Sequence, residues 1–313
     1  MNSPQTVKDD MSRLTSFERQ GLTFEVRDSG PTEGIPVILL HGFPQTSASW
    51  RSVAESLNRL GFRTWAPDQR GYSRGASPSR RRDYRFSELV ADAVALIEEA
   101  HAGPVHLVGH DWGAGVAWGV ADKRPDLLRT LTAVSVPHPL AFALSTLTSA
   151  QAFKSWYMLL FQIPWIPELL MRKKDGFFYR RLLGTGATPE NAARDLNDLH
   201  RLDAITNALH WYRALPFALS SLPLRKISVP TLQVWSDRDT AVGKHGHDLS
   251  EKFVSGPWEL RTLEGVSHWI PDEAAGPLTT VLVEHFRRHD ACLPGDSTQG
   301  PQGDMGSVDG ATA

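Results

Sequence analysis

The stretch Val105-His106-Leu107-Val108-Gly109-His110-Asp111-Trp112-Gly113 decides the fold. Residues 105–108 form a short apolar run of the kind found in buried strands, and residues 112–123 read as the helix that follows. Asp111 stands between them, flanked by Gly109 and Gly113. Small residues are needed beside a sharp strand-to-helix turn, because a side chain there would clash with the strained backbone. The pattern predicts a strand, a turn that carries a carboxylate, and a helix.

The same alternation of short apolar runs and longer amphipathic stretches continues along the chain. Predicted strands cover 37–40, 63–65, 105–108, 131–136, 231–235 and 258–263, and predicted helices cover 47–60, 86–100, 112–123 and a last stretch through 286. This rhythm is typical of a parallel sheet flanked by helices. Between 138 and 225 it gives way to a helical segment rich in Trp, Leu and Pro. We therefore predict an α/β core, residues 13–137 and 226–291, with an inserted helical cap, residues 138–225.

Composition restricts the possible partners. The chain has 313 residues, 41% of them hydrophobic, and a formal net charge of -2, so electrostatics give no reason to expect nucleic acid or an anionic membrane as partner. No stretch resembles a secretory signal or a membrane span, and the single cysteine, Cys292, cannot form an internal disulfide. We expect a cytoplasmic protein with tails at 1–12 and 293–313 that are disordered.

The carboxylate at position 111 restricts the chemistry that the turn can support. Attack by a serine hydroxyl on a saturated carbon would form an ether, which water cannot cleave, whereas a carboxylate forms an ester. Water can attack the ester carbonyl and regenerate the carboxylate. We therefore predict that Asp111 is a nucleophile and that it attacks an electrophilic sp3 carbon.

Such a reaction also needs a base and an acid that orients it. Asp237 and Asp239 both follow the predicted strand that ends at residue 235, and His268 follows the strand that ends near residue 263. The chain order of nucleophile, acid and histidine is one that places the three at neighbouring strand ends. We assign His268 as the base and one of the two aspartates as the acid.

His41-Gly42-Phe43-Pro44 follows the predicted strand 37–40. This turn could present the backbone N–H of Phe43, together with that of Trp112, to the oxygen that becomes negative when water attacks the ester. The alternative is a simple turn that ends a strand, because His-Gly alone is a weak signal.

Over residues 20–290 the chain resembles the epoxide hydrolases of the α/β-hydrolase fold. The His-Gly-Phe-Pro and Gly-His-Asp-Trp-Gly motifs mark the wider group that uses an aspartate nucleophile. Two further segments, Trp156-Tyr157-Met158-Leu159-Leu160-Phe161-Gln162-Ile163-Pro164 and His210-Trp211-Tyr212-Arg213, resemble the family's two lid-tyrosine segments. The resemblance implies Asp239 as the acid, with Asp237 as the alternative. It also implies catalysis without a metal or an organic cofactor.

The resemblance further implies that Tyr157 and Tyr212 donate a proton to the oxygen of an epoxide as Asp111 opens the ring. Tyrosine, with a reference pKa of about 10, is protonated at neutral pH. The expected products are an aspartyl ester and then a vicinal diol. Tyr179 lacks a matching context, and we interpret it as a packing or surface residue. Aromatic residues of the cap predict an apolar pocket for a small apolar epoxide: Phe153, Trp156, Phe161, Trp165 and Phe217.

Three other interpretations share part of this pattern. A haloalkane dehalogenase uses the same nucleophile, but such enzymes usually place an asparagine where this chain has Phe43 and do not need the paired tyrosines. A haloacetate dehalogenase would resemble a pattern with arginine where this chain has Trp112. A ligand-binding protein without activity is the third alternative, because the fold alone does not fix the function. One departure from the family's loop pattern is Ser73, which stands where a second glycine is common. The sequence leaves the oligomeric state open.

Overall fold

The structure is a computed structural model, and it describes residues 13–173, 175–217 and 225–290. The tails expected to be disordered and Cys292 lie outside these residues.

One sheet of eight strands organises the described part of the chain. The strands are β1 (Ser16–Arg19), β2 (Leu22–Ser29), β3 (Ile35–Leu40), β4 (Phe62–Pro67), β5 (Val105–His110), β6 (Leu128–Val134), β7 (Thr231–Ser236) and β8 (Trp258–Leu263). Their order is β1-β2-β4-β3-β5-β6-β7-β8. The β1–β2 and β2–β4 pairs are antiparallel, and all the other pairs are parallel. This confirms the predicted fold class, although the sequence patterns did not predict β1 and β2.

The central strands are buried on both faces, which explains their continuous apolar runs. In β3, Ile38 and Leu40 pack into one hydrophobic cluster, whereas Val37 and Leu39 pack into the other. Successive side chains of a strand point to opposite faces, so one short run supplies both halves of the core.

Helices cover both faces. The first three are α1 (Arg51–Arg59), α2 (Phe86–Glu99) and α3 (Trp112–Lys123), and the last three are α11 (Lys244–Ser250), α12 (Ile270–Glu273) and α13 (Ala275–His289). Apolar residues of α1 and α13 belong to one cluster, and those of α2 and α3 belong to the other. The stretch predicted as one helix over 47–60 is a 3-10 turn, Ser47–Trp50, followed by α1.

Between β6 and β7 the chain forms a helical insertion. Its helices are α4 (Pro139–Thr148), α5 (Gln151–Lys154), α6 (Trp156–Leu160), α7 (Ile166–Arg172), α8 (Phe177–Gly184), α9 (Pro189–Arg201) and α10 (Ile205–Arg213). The insertion occupies the stretch where the sheet rhythm breaks in the sequence. Within the described ranges, no helix is both long and apolar enough to cross a membrane.

Ser73 has a physical role at the edge of the sheet. The side chain is fully buried, and its hydroxyl accepts a hydrogen bond from the Glu25 N–H at 2.9 Å and donates one to the Asp68 carbonyl oxygen at 2.5 Å. Its φ of -88° needs no glycine. The hydroxyl thus links β2 to the loop after β4, which a glycine in this position could not do.

We predict that Ser73→Ala lowers the free energy of unfolding by about 1–3 kcal/mol, because a backbone N–H that was paired loses its acceptor. Urea unfolding followed by circular dichroism measures this change. Ser52→Ala, at an exposed position of α1, serves as the matched control and should change the stability by less than about 0.5 kcal/mol. Equal stabilities of the two variants would contradict the role given to Ser73.

Candidate active site

Asp111 lies at the turn between β5 and α3. Its backbone has φ 52° and ψ -121°, a conformation that L-residues rarely adopt. A Cβ atom on Gly109 would lie 2.2 Å from the Gly113 carbonyl oxygen, and one on Gly113 would lie 2.2 Å from the Leu40 carbonyl oxygen. Strand β5, helix α3 and strand β3 therefore approach so closely here that both positions require glycine.

The loop after β3 reaches the same carboxylate. The Phe43 N–H donates to Asp111 Oδ1 at 2.8 Å, and the Trp112 N–H also bonds to the side chain. A Cβ atom on Gly42 would lie 2.4 Å from Asp111 Oδ1, so only glycine permits this approach. Behind the loop, the buried His41 ring accepts the Gln69 N–H at 3.1 Å. Both backbone donors expected at the oxyanion hole therefore face the Asp111 carboxylate.

His268 follows β8 and lies between two carboxylates. Its Nδ1 is 2.7 Å from Asp239 Oδ2, and its Nε2 is 3.5 Å from Asp111 Oδ2. The other oxygen of Asp239 accepts the N–H groups of Ala241 and Val242 at 2.7 and 2.8 Å. Asp237 is exposed and accepts the Gly265 N–H at 2.7 Å. The structure thus brings Asp239, and not Asp237, to the histidine.

Three residues that the sequence reasoning missed hold the loop of His268. His110 Nε2 donates to the His268 carbonyl oxygen at 2.9 Å, and the Ser135 hydroxyl donates to the same oxygen at 3.1 Å. The Ser236 hydroxyl donates to the Ser267 carbonyl oxygen at 2.7 Å. Each of them stands at or directly after the end of a parallel strand, which is the signal that could have singled them out.

Tyr157 on α6 and Tyr212 on α10 lie on the insertion side of Asp111. Two pockets open here, the α8 pocket, lined in part by helix α8, and the α4 pocket, lined in part by helix α4. Asp111, Tyr157 and Tyr212 line both of them. A hydrogen bond links Tyr157 to Tyr212, and the Trp112 side chain bonds to Tyr212. The two phenols and the carboxylate therefore face a common space.

Arg213 fixes the two tyrosine segments to each other. Its guanidinium donates to the carbonyl oxygens of Phe161 and Ile163 at 2.9 and 2.8 Å and pairs with Glu168 at 2.6 Å. In addition, the Gln162 side chain donates to the Tyr212 carbonyl oxygen at 2.9 Å. Helix α10 is thereby tied to the chain that leaves α6.

A second arginine joins the insertion to the core. Arg194 on α9 donates to both oxygens of Asp272 at 2.8 and 2.7 Å and pairs with Asp195 at 2.7 Å. Asp272 also accepts the Gln45 side chain at 2.7 Å. Gln45 lies two residues after Phe43, and Asp272 lies four residues after His268. The contacts thus tie α9 to the loops that carry the oxyanion donors and the histidine.

The lining of the two pockets is mainly apolar and only partly as predicted. Trp156 and Phe161 line the α8 pocket. Phe153 and Trp165 are instead 83% and 77% exposed, and Phe217 lines neither pocket, which corrects the expectation for these three. Their spacing indicated an apolar helix face but not which way that face points. Tyr179 packs against the main hydrophobic cluster and lines neither pocket. In the described ranges, no group of three His, Cys, Asp or Glu side chains is arranged to hold a metal ion.

Comparison with known proteins assigns the family. Residues 35–275 match the sequence model of a family described as having the alpha/beta hydrolase fold. The chain belongs to the α/β-hydrolase fold family. It is 31% identical to AB hydrolase superfamily protein YfhM of Bacillus subtilis (strain 168), over 85% of this chain and 95% of that protein. It is 32% identical to Epoxide hydrolase 2 of Caenorhabditis elegans, over 85% and 78% of the two chains.

A solved structure gives the same grouping. The crystal structure of an epoxide hydrolase from Vigna radiata superposes with a TM-score of 0.74 at 26% identity, covering 87% of this chain and 97% of that one. These likenesses confirm the resemblance to the epoxide hydrolases of the α/β-hydrolase fold that the motifs indicated.

In this member of the family the three charged groups at the site control each other's protonation. Burial lowers the pKa of His268, but the charges of Asp239 and Asp111 outweigh it and raise the pKa to about 10. Burial raises the pKa of each carboxyl, and the contacts with His268 and backbone N–H groups outweigh that effect and lower it. At neutral pH the site therefore holds an imidazolium between two carboxylates.

Burial also raises the pKa of both phenols, and the negative charge of Asp111 raises the pKa of each further. Tyr157 and Tyr212 are consequently protonated throughout the neutral range, as a proton donor must be.

We predict that the stability that His268 contributes depends on pH. Its pKa in the folded chain, about 10, lies above that of an unfolded histidine, about 6.5, so the folded state binds the proton more tightly. The contribution is complete below pH 6.5 and is lost between pH 6.5 and 10. Denaturant unfolding of the wild type and His268→Gln should therefore show a difference in unfolding free energy that shrinks across this window. A difference for His268→Gln that stays constant with pH would contradict the assignment.

Proposed function

We propose that the chain hydrolyses an apolar epoxide to a vicinal diol through a covalent ester on Asp111. The observation that carries this proposal is that Asp111, Tyr157 and Tyr212 line both pockets. An epoxide that occupies this shared space has a carboxylate at its carbon and two protonated phenols at its oxygen. The names of the relatives agree with the proposal.

In the first step the attacking atom is Oδ2 of Asp111, because Oδ1 accepts the Phe43 N–H. A bond forms between Oδ2 and an epoxide carbon as the C–O bond of the ring breaks. The ring oxygen takes a proton from Tyr157 or Tyr212 and becomes a hydroxyl. Strain release in the ring and proton donation together make the alkoxide an acceptable leaving group.

Formation of the ester removes the negative charge of Asp111, one of the two charges that hold the proton of His268. The pKa of His268 then falls, and the proton that it releases restores the phenol of the tyrosine that protonated the ring oxygen. The neutral imidazole, oriented by Asp239, can now act as a base.

In the second step His268 takes a proton from water, and the resulting hydroxide oxygen bonds to the carbonyl carbon of the ester. The carbonyl oxygen becomes negative while it is held by the Phe43 and Trp112 N–H groups. Collapse breaks the bond to the alkyl oxygen, and that oxygen takes the remaining proton of the water as the diol leaves. Asp111 returns as a carboxylate beside a protonated His268.

An apolar substrate fits the lining of both pockets. The α8 pocket is lined by Phe43, Leu160, Phe161, Met171, Phe178 and Leu182, and the α4 pocket by Phe86, Val136, Phe142, Met158 and Leu215. Burial of such surface against a hydrocarbon substituent supplies binding energy without directional demands. Treatment of residues 138–225 as a cap domain, a cytoplasmic location and the absence of a nucleic-acid partner stay predictions from the sequence.

A haloalkane dehalogenase is disfavoured by the polar groups around Asp111. A departing halide needs N–H donors that point into the pocket. The side chain at position 43 is a phenylalanine, and the Trp112 side chain bonds to Tyr212. The tyrosine pair, in contrast, has a direct role in opening an epoxide.

We predict that His268→Gln traps the ester, because attack at carbon needs only Asp111 and the phenols, whereas hydrolysis of the ester needs the base. Intact-protein mass spectrometry after exposure to styrene oxide should show one adduct with the mass of the epoxide, and peptide mapping should place it on Asp111. The double variant Asp111→Asn/His268→Gln is the control and should stay unmodified.

A 1-bromoalkane serves as the competing reagent in the same experiment. An alkyl adduct from the bromide without an adduct from styrene oxide would replace the proposal with dehalogenation. If neither reagent modifies Asp111, a covalent mechanism through this residue is wrong.

We also predict a graded effect of the phenols. Tyr157→Phe and Tyr212→Phe should each lower kcat by about 10²-fold to 10⁴-fold, the usual contribution of a positioned proton donor. The double variant should have no measurable activity on styrene oxide. Tyr179→Phe is the matched control and should keep wild-type kcat. Full activity in the double variant would remove the tyrosines from the mechanism.

A further inference from the structure

Arg181 places a positive charge on an otherwise apolar wall. Helix α8 turns one face toward the α8 pocket, and the lining residues of this segment are Phe177, Phe178, Arg181 and Leu182 on the helix and Thr185 directly after it. Met171 and Phe161 line the same pocket. Arg181 is therefore a charged side chain within a mainly hydrophobic face of the substrate pocket, and its presence there requires an explanation.

The guanidinium of Arg181 has no ion pair and no side-chain hydrogen bond to any residue in 13–173, 175–217 or 225–290. In this respect Arg181 differs from two other arginines of the insertion. Arg213 pairs with Glu168, and Arg194 pairs with Asp195 and Asp272. Arginine cannot lose its proton in a protein, so this charge persists. Arg181 thus brings to the lining of the α8 pocket a guanidinium that no described residue engages.

The charge also lies near the reacting groups. Burial and the negative charges of Asp111 and Asp239 raise the pKa of Tyr157, and the positive charge of Arg181 works against that rise. A substrate that reaches from the phenols along α8 therefore passes Arg181.

We propose that Arg181 binds a carboxylate at the end of the substrate that is remote from the epoxide ring, so that the chain prefers epoxy acids to the corresponding neutral esters. The proposal rests on the proposed function and adds a substrate class to it. The planar guanidinium matches the two oxygens of a carboxylate and can donate two parallel hydrogen bonds. The hydrocarbon between the epoxide and the carboxylate would lie against Phe178 and Leu182.

Terminal epoxyalkanoates of increasing chain length, each paired with its methyl ester, test the proposal. The ester has nearly the same shape but no charge, so the ratio of kcat/KM for acid and ester isolates the recognition of the carboxylate. For the chain length that fits best, Arg181→Met should lower this ratio by about tenfold or more, the worth of a hydrogen-bonded charge at a partly exposed site. High salt should lower the wild-type ratio as well.

Arg180→Met is the matched control. Arg180 precedes Arg181 on α8 but is exposed and lies outside the α8 pocket, so this variant should keep the wild-type ratio. Arg181→Lys keeps the charge and loses the planar fork, and its ratio should lie between those of the wild type and Arg181→Met. Turnover of the ester by each variant shows that the variant is folded.

Equal acid-to-ester ratios in the wild type and Arg181→Met, at every chain length, would overturn the proposal while leaving the hydrolysis of epoxides intact. The same loss in Arg180→Met would show a general effect of surface charge and would also overturn it. Failure of the wild type to hydrolyse any acid or ester would overturn the proposed function itself, and this inference with it.

Discussion

The site depends on the backbone conformation of Asp111. A positive φ at a residue with a Cβ atom costs about 1–3 kcal/mol, and the surrounding contacts must hold it in place. The Asp111 N–H donates to the Val134 carbonyl oxygen at 3.2 Å, and the Asp111 carbonyl oxygen accepts the Ala114 N–H at 3.0 Å, which begins helix α3. The turn places the carboxylate just beyond the carboxyl end of the central strand β5. Oδ1 then accepts the Phe43 N–H and Oδ2 faces His268 Nε2, so the two oxygens have different surroundings before any substrate binds.

The charges around His268 make the second half of the proposed reaction depend on the first. With Asp111 ionised, the imidazole lies between two carboxylates and holds its proton strongly. It is then a poor base and cannot activate water. Once Asp111 has become an ester, one of these charges is gone, whereas Asp239 stays ionised because backbone N–H groups stabilise it. Because the neutral imidazole forms only together with the ester, His268 activates water for hydrolysis of the intermediate and does not activate it while Asp111 is a free carboxylate.

The sequence predicted the fold class because apolar strands and the glycines around Asp111 are local signals. Strands β1 and β2 were missed because their buried residues alternate with exposed ones and form no continuous apolar run. Spacing could not separate Asp237 from Asp239, which stand two residues apart after the same strand. The loop after β7 determines which aspartate reaches His268, because the N–H groups of Ala241 and Val242 bond to Asp239. The contact of Arg194 with Asp272, 78 residues away, and that of Gln45 with Asp272, 227 residues away, have no local signature.

The groups that act in the proposed reaction lie on two different parts of the chain. Asp111, Asp239, His268 and the oxyanion donors lie at the ends of strands, where the packed sheet fixes them. The phenols and most of the pocket lining lie on the helical insertion, which contacts the core through polar groups such as Arg194 and Asp272. Changes in the lining helices can therefore alter which epoxide is bound without moving the groups that hydrolyse the ester. By the same reasoning, a charged residue such as Arg181 on a lining helix would affect the choice of substrate more than the chemistry of the ester.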